Sequence, residues 1–511
     1  MNLRKTIILI FAVCLLALCS AGCDFIIPEK IFSGSDKTPD SPVKVEFVSS
    51  NDNYGSVLGY ASQTIHPGKV SKQVAAHAND FCIFTGWSDG VKDVVRKGET
   101  FLKDQTITAN FELVRTGLPV IEITMPAGDE VVSKEIYETV TVTAKNGDGS
   151  VSLEGAAGKL RGRGNATWKM EKKSYKLKFD QKQNMLDTGK GPAKDWVLLA
   201  NHCDQSLIRN QVSFYLARNM EGLEYTVACQ QVEVFINGIC KGVYLLTEQI
   251  EVQENRLDLP YDSAVLDTGY LVELDDYADD DNPNGENISY VVAGEKMFSL
   301  KSDVTPAQIP YIKDYLQKVH DAIMSGDEHR VRRYVDLDSC IDAYLIEEFT
   351  MNIDVGWSSF YFYKKPGDEH LYFGPLWDFD LAIGNDKRLR DGGSKGFYVG
   401  DSNSGYKQRS LWFGALMEQH WFKILVRKRW EEKRDLFEGA SAYAAVCVEL
   451  VQSAAERNFD IWESLGRRIN QEPNHIVAYT TYDQHADNAV AWLADRYDWL
   501  NAYIKMNLPK R

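Results

Sequence analysis

The chain has 511 residues, which exceeds the size of one ordinary domain, so two or three domains are expected. Its hydrophobic fraction of 44% and charged fraction of 25% are those of a globular protein with sizeable cores. The formal net charge of −16 argues against a general nucleic-acid binder and against adhesion to anionic lipid through surface charge.

The N-terminus has the pattern of a targeting segment. Residues 1–22 are predicted to be a lipoprotein signal peptide, because Arg4 and Lys5 precede an apolar run that is too short for a stable membrane span. The run ends in small residues before Cys23, as in a bacterial lipobox. This predicts acylation of the Cys23 thiol and a lipid anchor in the membrane of the cell envelope, on its periplasmic face or at the cell surface. A plain secretory signal is the alternative. Residues 23–42 predict a flexible tether.

Residues 43–115 alternate in hydrophobicity like a small all-β module. The turn G-W-S-D-G at 86–90 and the strand T-I-T-A-N-F-E at 106–112 resemble the divergent repeat of bacterial surface proteins (internalin B-repeat type). That resemblance implies a spacer or adhesive module without chemistry of its own. Trp87 is interpreted either as a core residue or as a platform on which a sugar stacks.

The remainder, residues 117–511, places strand patterns before helical ones. Strand patterns continue to Phe179, a helix is predicted over residues 204–219, and Asn237-Gly238 between alternating segments indicates a hairpin. Residues 306–350 and 410–511 have helical spacing, and residues 360–384 read as a pair of strands. Strands followed by helices predict an α+β fold with a two-lobed body.

Three acids stand out in the second half of the chain. Asp354 is followed about twenty-four residues later by Asp378 and Asp380, and all three adjoin runs of aromatic and β-branched residues. Carboxylates at the ends of apolar strands cost several kcal/mol unless something binds them, which points to metal binding or catalysis. One acid to meet a hydroxyl and a pair to hold Mg²⁺ is what phosphoryl transfer from ATP requires. The alternative is that these acids cap turns or pair with arginines.

Several motifs occur in a fixed order, and together they resemble the CotH spore-coat kinase family: R-G-R-G-N-A-T-W, K-K-S-Y-K-L-K-F, D-W-V-L-L-A-N, D-Q-S-L-I-R-N, V-F-I-N-G-I-C-K-G-V-Y-L-L-T-E, G-Y-L-V-E-L-D and P-L-W-D-F-D-L-A-I-G. The resemblance spans residues 117–511. It implies an atypical protein-kinase-like domain that binds ATP with Mg²⁺ or Mn²⁺. It further implies transfer of the γ-phosphate to a serine or threonine hydroxyl of a protein substrate.

Within that resemblance Asp354 matches the catalytic acid, which would accept the proton of the attacking hydroxyl. Asp378 matches the main metal ligand, and strand spacing would turn Asp380 to the same face as a supporting ligand. Ser359 stands where kinases place a metal-binding asparagine. Its hydroxyl is expected to ligate the metal but reaches less far than an amide.

The nucleotide is expected to meet cations of the strand-rich part. Lys176 matches the family pattern K-x-Y-K-x-K and is predicted to contact the α- and β-phosphates, the alternative being a solvated strand face. Glu248 is the predicted ion-pair partner that orients Lys176, or else a surface residue. Arg161 and Arg163 flank a glycine of R-G-R-G-N and suit phosphate, although a simple β-turn is also consistent. Arg209, on the predicted helix, is expected to face the nucleotide.

Two other functions remain open at this stage. Ser359 and the appended β module favour a catalytically degenerate kinase fold that acts as a cell-surface structural or interaction module. A glycoside-active enzyme would use Asp354 with Asp378 or Asp380 as acid and base, with the two carboxyl groups about 5 or 9 Å apart along an open groove. Clustered carboxylates beside lysines favour ATP instead.

Overall fold

The computed structural model describes residues 41–185, 189–278, 290–401 and 410–511. The predicted signal peptide, Cys23 and most of the predicted tether therefore lie outside the described residues. The fold is mixed α+β, with strands concentrated in the first half of the chain and helices in the second, as predicted. Contacts divide the chain into two compact units. The smaller unit is the described part of residues 1–50 with 57–77 and 86–110, and the larger one contains 51–56, 78–85 and the described part of 111–511.

The described residues 41–113 contain seven strands: β1 Val43–Ser49, β2 Gly55–Gly59, β3 Ser62–Ile65, β4 Val74–Ala78, β5 Cys82–Trp87, β6 Val95–Arg96 and β7 Gln105–Leu113. They form a four-stranded sheet in the order β3-β1-β7-β5 and a three-stranded sheet in the order β2-β4-β6. Alternation in β1 buries Val43, Val45 and Phe47. Trp87 is 2% exposed and its indole Nε1 donates to the Asp93 carbonyl at 2.9 Å, so it is a core residue and not a sugar platform.

A closed seven-stranded sheet follows, built from β8 Val120–Thr124, β9 Glu138–Lys145, β10 Val151–Arg163, β11 Ser174–Gln183, β12 Ala193–Leu199, β13 Cys229–Ile236 and β14 Ile239–Glu248. The order is β10-β11-β12-β14-β13-β8-β9, and β9 pairs back with β10. Alternate residues such as Leu160, Leu177 and Trp196 fill its interior. The hairpin predicted at Asn237-Gly238 is confirmed. Both turn residues have positive φ, as a two-residue turn of this kind requires.

Helix α1 (Arg209–Arg218) lies in the connection from β12 to β13 and begins later than predicted. Asp204 accepts hydrogen bonds from the backbone N–H groups of Ser206 at 3.0 Å and Arg209 at 2.9 Å, which forms a turn before the helix. Leu207 has a φ of 64°, a left-handed conformation that an α-helix cannot include. The segment 204–208 is therefore a turn that leads into α1.

The larger unit also contains a five-stranded sheet with the order β16-β17-β15-β18-β19. Its strands are β15 Tyr270–Leu274, β16 Tyr290–Ala293, β17 Lys296–Leu300, β18 Phe360–Lys364 and β19 Leu371–Phe373. The strand pair predicted over residues 360–384 therefore ends at Phe373. The segment that carries Asp378 and Asp380 is a loop, because Asp378 adopts a left-handed conformation (φ 65°) that breaks an extended chain.

The remaining helices are α2 Gln308–Ser325, α3 Glu328–Tyr334, α4 Leu337–Thr350, α5 Leu411–Glu418, α6 His420–Glu438, α7 Ala440–Ile461, α8 Asn474–Val477 and α9 Tyr482–Asn507. The helical stretch predicted over 306–350 is three helices, since Gly326 is left-handed and Asp327 and Asp336 each accept a hydrogen bond from the first turn of the next helix. Helix α4 is buried along most of its length in the main core. Among the described helices, none is long and apolar enough to cross a membrane.

Candidate active site

A cleft of about 960 Å³ opens in the larger unit. Its walls come from the ends of β10, β11 and β12, from β15, and from three loops at residues 353–359, 377–381 and 470–471. Most of the sequence-predicted site residues line it, namely Arg161, Arg163, Lys176, Asp354, Ser359, Asp378 and Asp380. The fold therefore brings together residues that are more than two hundred positions apart in the chain.

Asp354 lies in a short 3-10 turn, Ile353–Gly356, directly after α4. Asn352 caps this turn, and its side-chain oxygen accepts a hydrogen bond from the Asp354 backbone N–H at 3.2 Å. Burial, with a smaller contribution from the charge of Asp378, raises the pKa of Asp354 to about 7, although the Arg388 guanidinium opposes the shift. A carboxylate that titrates near neutral pH is suited to accept a proton from a hydroxyl.

Asp378 and Ser359 are in direct contact. The Ser359 hydroxyl donates to Oδ2 of Asp378 at 3.2 Å. Both residues have left-handed backbones, with φ of 59° for Ser359 and 65° for Asp378. Such conformations are costly for residues other than glycine and cluster at functional sites. Burial raises the pKa of Asp378, whereas the nearby Arg163 guanidinium lowers it.

Asp380 lies beside Asp378 in an environment that disfavours its charge. Burial raises its pKa well above the ordinary value, and repulsion from Asp378 adds to that effect. The Cys203 thiol donates to Oδ2 of Asp380 at 2.9 Å. Two adjacent carboxylates that destabilise each other's charge are expected to gain from a cation between them.

Side-chain amides hold this acidic loop in place. The Asn210 side-chain oxygen accepts a hydrogen bond from the Phe379 backbone N–H, between the two aspartates, at 2.8 Å. The Asn385 amide donates to the backbone carbonyl of Asp380 at 2.8 Å. The loop is thus attached to α1 and not paired as a strand. The role of Asn210 was missed from the sequence, and its place at the end of D-Q-S-L-I-R-N was the available signal.

Arg163 and Arg161 occupy different environments at the end of β10. The Arg163 guanidinium lies 5.4 Å from the Trp377 ring centroid, near Asp378 and Glu273, and within the described residues it forms no ion pair. Arg161 instead donates to the backbone carbonyls of Lys134 and Gly162. Arg163 is therefore the more available of the two for an anionic ligand.

Two lysines line the cleft near the start of β11, one just before the strand and one within it. Lys176 forms an ion pair with Asp195 at 3.0 Å. Lys172, which was not predicted as a site residue, is 1% exposed. Its ammonium group donates to the Val243 carbonyl and to the Asn458 side chain. Burial lowers the pKa of Lys172 to about 7. The adjacent lysines of K-K-S-Y-K gave no indication of which one is buried.

The predicted pairing of Glu248 with Lys176 is wrong. Strand register places Lys176 opposite Val197, and Val197 opposite Thr247, whereas Glu248 lies opposite Trp196. Because side chains alternate along a strand, Glu248 and Lys176 point to opposite faces of the closed sheet. Glu248 is fully buried and pairs with Arg256 at 2.8 Å.

The prediction that Arg209 faces the nucleotide is also wrong. Arg209 is 2% exposed and is absent from the cleft walls. Its guanidinium forms an ion pair with the buried Asp204, and its Nε donates to the Ala382 carbonyl at 3.1 Å. Arg209 therefore supports the backbone that follows the acidic loop.

Replacing Glu248 by alanine is expected to destabilise the protein by about 3–5 kcal/mol, since it leaves the guanidinium of Arg256 buried without its ion-pair partner. Urea unfolding measures this. The matched control is Glu369→Ala, which removes an exposed pair with Arg333 and should cost less than about 1 kcal/mol. Equal destabilisation by the two variants would contradict the assignment of Glu248 to the buried network.

Two further acids of the cleft belong to the motif G-Y-L-V-E-L-D. Glu273, on β15, is 8% exposed and pairs with Lys301 at 2.7 Å. Asp275 accepts a hydrogen bond from the Ser299 hydroxyl at 3.1 Å. The motif contributes to the family resemblance, but neither acid was predicted to belong to the site.

The carboxylates fit a hard cation only as a partial ligand set. Among the described residues, no three histidine, cysteine or acidic groups are arranged so that they could hold one metal ion. Asp378 and Asp380, with the Ser359 hydroxyl, nevertheless supply oxygen donors of the kind Mg²⁺ and Mn²⁺ prefer. A cation here would need its other ligands from phosphate and water, as Mg²⁺ commonly does.

The raised pKa of Asp354 predicts a pH-dependent effect on stability. The folded pKa is about 7 and the ordinary value is 3.8, so the folded protein becomes less stable, relative to the unfolded chain, as pH rises between these values. Asp354→Asn should therefore stabilise the metal-free protein by about 3–5 kcal/mol at pH 8, the equivalent of about three pKa units, and by little at pH 4. Chemical unfolding at both pH values tests this, with Glu449→Gln on the exposed face of α7 as the control. A gain that is equal at both pH values would contradict it.

The family of this chain is identified by comparison with known proteins. No curated protein matches the chain. The family model described as CotH kinase protein matches residues 160–500, which is well over half of the chain and includes the cleft residues from Arg161 to Gln471. The resemblance inferred from the ordered motifs is thereby confirmed, and the chain belongs to the CotH kinase protein family.

Proposed function

We propose that this protein is an ATP-dependent phosphotransferase that moves the γ-phosphoryl group to a serine or threonine hydroxyl of a protein substrate. The observation that carries the proposal is one cleft that holds Asp354, whose pKa is about 7, together with the Ser359–Asp378 contact and the Arg163 cation. Family membership supports a kinase-like function. In this proposal the closed sheet and the helical region act as the two lobes of a kinase-like body.

The nucleotide would lie along the wall formed by the closed sheet. Leu199, Ala200 and Ile250 give that wall an apolar part, which suits a purine ring. Arg163 and Lys176 would contact the phosphates, since a guanidinium and an ammonium group are the usual donors to phosphate oxygens. The ion pair between Lys176 and Asp195 holds the lysine in place in the way first expected of Glu248.

Asp378 and Asp380, with Ser359, would hold Mg²⁺ or Mn²⁺. When bound, the cation neutralises charge on the phosphates of ATP during transfer. Asp354 would accept the proton of the acceptor hydroxyl, for which its pKa near neutrality is suited. The 3-10 turn and its Asn352 cap fix the carboxylate at the edge of the cleft.

The proposal includes export and anchoring to a membrane. The support is the sequence pattern of residues 1–22 followed by Cys23, since acylation at that cysteine would place the enzyme in the cell envelope. A protein substrate at the same membrane face is the partner that this location favours. Mass spectrometry of the mature N-terminus would test the lipid.

The first experiment is nucleotide binding by the purified protein, measured as a thermal shift with ATP alone, with ATP and Mg²⁺, and with ATP and Mn²⁺. Incubation with γ-labelled ATP and a generic acceptor protein follows. Stabilisation that needs both ATP and a divalent cation, with label on serine or threonine, supports the proposal. A melting temperature unaffected by any nucleotide, with no label transferred, would overturn it.

One observation favours a second function. Ser359 supplies a short hydroxyl where a kinase asparagine would bind metal, so a degenerate kinase fold that serves as an interaction module is the alternative. It predicts that ATP leaves the melting temperature unchanged. The glycosidase alternative is less favoured, because the carboxylates share their cleft with Arg163, Lys176 and Lys301.

A further inference from the structure

Phosphoryl transfer needs positive charge next to the phosphoryl group while it moves between the two oxygens. The loop that carries Asp354 has no cation of its own, since residues 352–359 read N-I-D-V-G-W-S-S. A cation at this end of the cleft must therefore come from another segment of the chain.

The basic side chains that line the cleft differ in whether acidic groups or other hydrogen-bond acceptors of the protein already bind them. Lys176 pairs with Asp195, Lys301 pairs with Glu273, and Lys172 is held by two oxygen acceptors. Arg163 is available, but its charge acts on Asp378, at the proposed metal ligands. None of these side chains supplies charge to Asp354 in the contacts of the described residues.

Arg388 does supply it. The side chain lines the same cleft and lowers the pKa of Asp354. Burial lowers the pKa of Arg388 itself, but the bonds to Asp386 and, to a smaller extent, the charge of Asp354 raise it above the ordinary value. It comes from the turn that follows the acidic loop, so it approaches Asp354 from outside the 353–356 turn. Its side chain is 34% exposed, which leaves it open to a ligand in the cleft.

Asp386 fixes the orientation of this arginine. Asp386 is 1% exposed, and its carboxylate accepts from Nε of Arg388 at 3.0 Å and from Nη2 at 2.6 Å. It also accepts from the Arg388 backbone N–H at 2.7 Å. Within the described residues these bonds engage only one edge of the guanidinium and leave Nη1 without a partner.

We propose that Arg388 is a catalytic residue that donates through Nη1 to the phosphoryl group during transfer, and that Asp386 is the residue that positions it. The inference rests on the proposed function. In the step, the acceptor oxygen forms a bond to the γ-phosphorus and its proton passes to Asp354. The bond from that phosphorus to the β,γ-bridging oxygen breaks, and ADP leaves with the electron pair. Arg388 stabilises the negative charge on the phosphoryl oxygens and is itself unchanged.

The test separates catalysis from nucleotide binding. Arg388→Gln should lower kcat about 10³-fold, the lower end of the effect of an arginine that acts on the transferred phosphoryl group. The Kd for Mg²⁺–ATP, measured by calorimetry, should change by less than about threefold, because such an interaction forms mainly in the transition state. Arg388→Lys should recover part of kcat, since it keeps the charge without the fork. Arg390→Gln, in the same turn but outside the cleft wall, is the control and should behave as wild type.

Two results would overturn the inference. One is a kcat of Arg388→Gln within about threefold of wild type, and the other is a rise in Kd that matches the fall in kcat. If circular dichroism shows that Arg388→Gln does not fold, the same measurements of kcat and Kd on Asp386→Asn test the inference. It keeps the guanidinium but loosens it, and should lower kcat with Kd retained. Wild type without transfer would refute the proposed function itself, whereas an active wild type with an unaffected Arg388→Gln refutes only the role of Arg388.

Discussion

Replacing Asp378 by asparagine is expected to abolish metal-dependent binding of ATP. Asp378 carries a buried carboxylate beside Ser359 and Arg163, and the substitution removes the charge that would attract the cation while keeping the size of the side chain. The apparent affinity for ATP with Mg²⁺ or Mn²⁺ should fall by about 100-fold or more, because loss of an outer partner of a ligand alone costs 10–100-fold. Thermal shift and calorimetry with each cation measure it.

The same variant should not unfold the metal-free protein. Burial raises the pKa of Asp378, so its charge is unfavourable when no cation is bound, and a neutral amide removes that cost. Asp495→Asn, an exposed acid on α9, is the matched control and should leave ATP binding intact. Unchanged binding of ATP and metal by Asp378→Asn would show that this carboxylate holds no cation.

Replacing Asp354 by asparagine is expected to lower kcat by about 10²–10⁴-fold, the usual contribution of a positioned general base. The affinity for ATP with metal should stay within about threefold, because in the proposed reaction Asp354 acts on the acceptor hydroxyl and not on the nucleotide. Steady-state label transfer at saturating ATP, together with calorimetry, separates the two effects.

The dependence on pH distinguishes a base from a structural residue. In wild type, kcat/KM should rise with pH up to about 7 as Asp354 loses its proton, and then level off. In Asp354→Asn the residual activity should lack that rise. If the variant keeps wild-type kcat, or if its residual activity still rises through pH 7, another group must be the base.

The order of the motifs and the identity of the acids could be predicted from the sequence, because family motifs and hydrophobic patterning are local properties of a chain. The same holds for the Asn237-Gly238 hairpin, where the turn residues themselves dictate the backbone. The burial of Trp87 was left open between two interpretations. Only packing against Phe47 in the folded unit decides it.

The incorrect predictions concern the interaction partners of charged residues and the backbone around them, and not the types of residue in the site. Lys176 and Glu248 are both charged and both on the closed sheet, but strand register turns them to opposite faces. Arg209 has the chemistry to bind phosphate, but a buried Asp204 engages it first. Asp378 and Asp380 have strand-like spacing, yet the bond from Phe379 to Asn210 holds their segment as a loop. Each outcome depends on residues distant in the chain.

The family and the α+β class follow from local pattern and motif order, and the same motifs single out the three aspartates. Which cations lie near those aspartates depends instead on contacts between segments that are distant in the chain. The ion-pair partner of an arginine or lysine is the acid that the fold places beside it. Strand register and the turns between strands determine which acid that is. Arg163 and Arg388 line the cleft and keep part of each guanidinium unpaired among the described residues. Arg209 and Arg256 are buried in the interior, where each forms an ion pair with a buried acid.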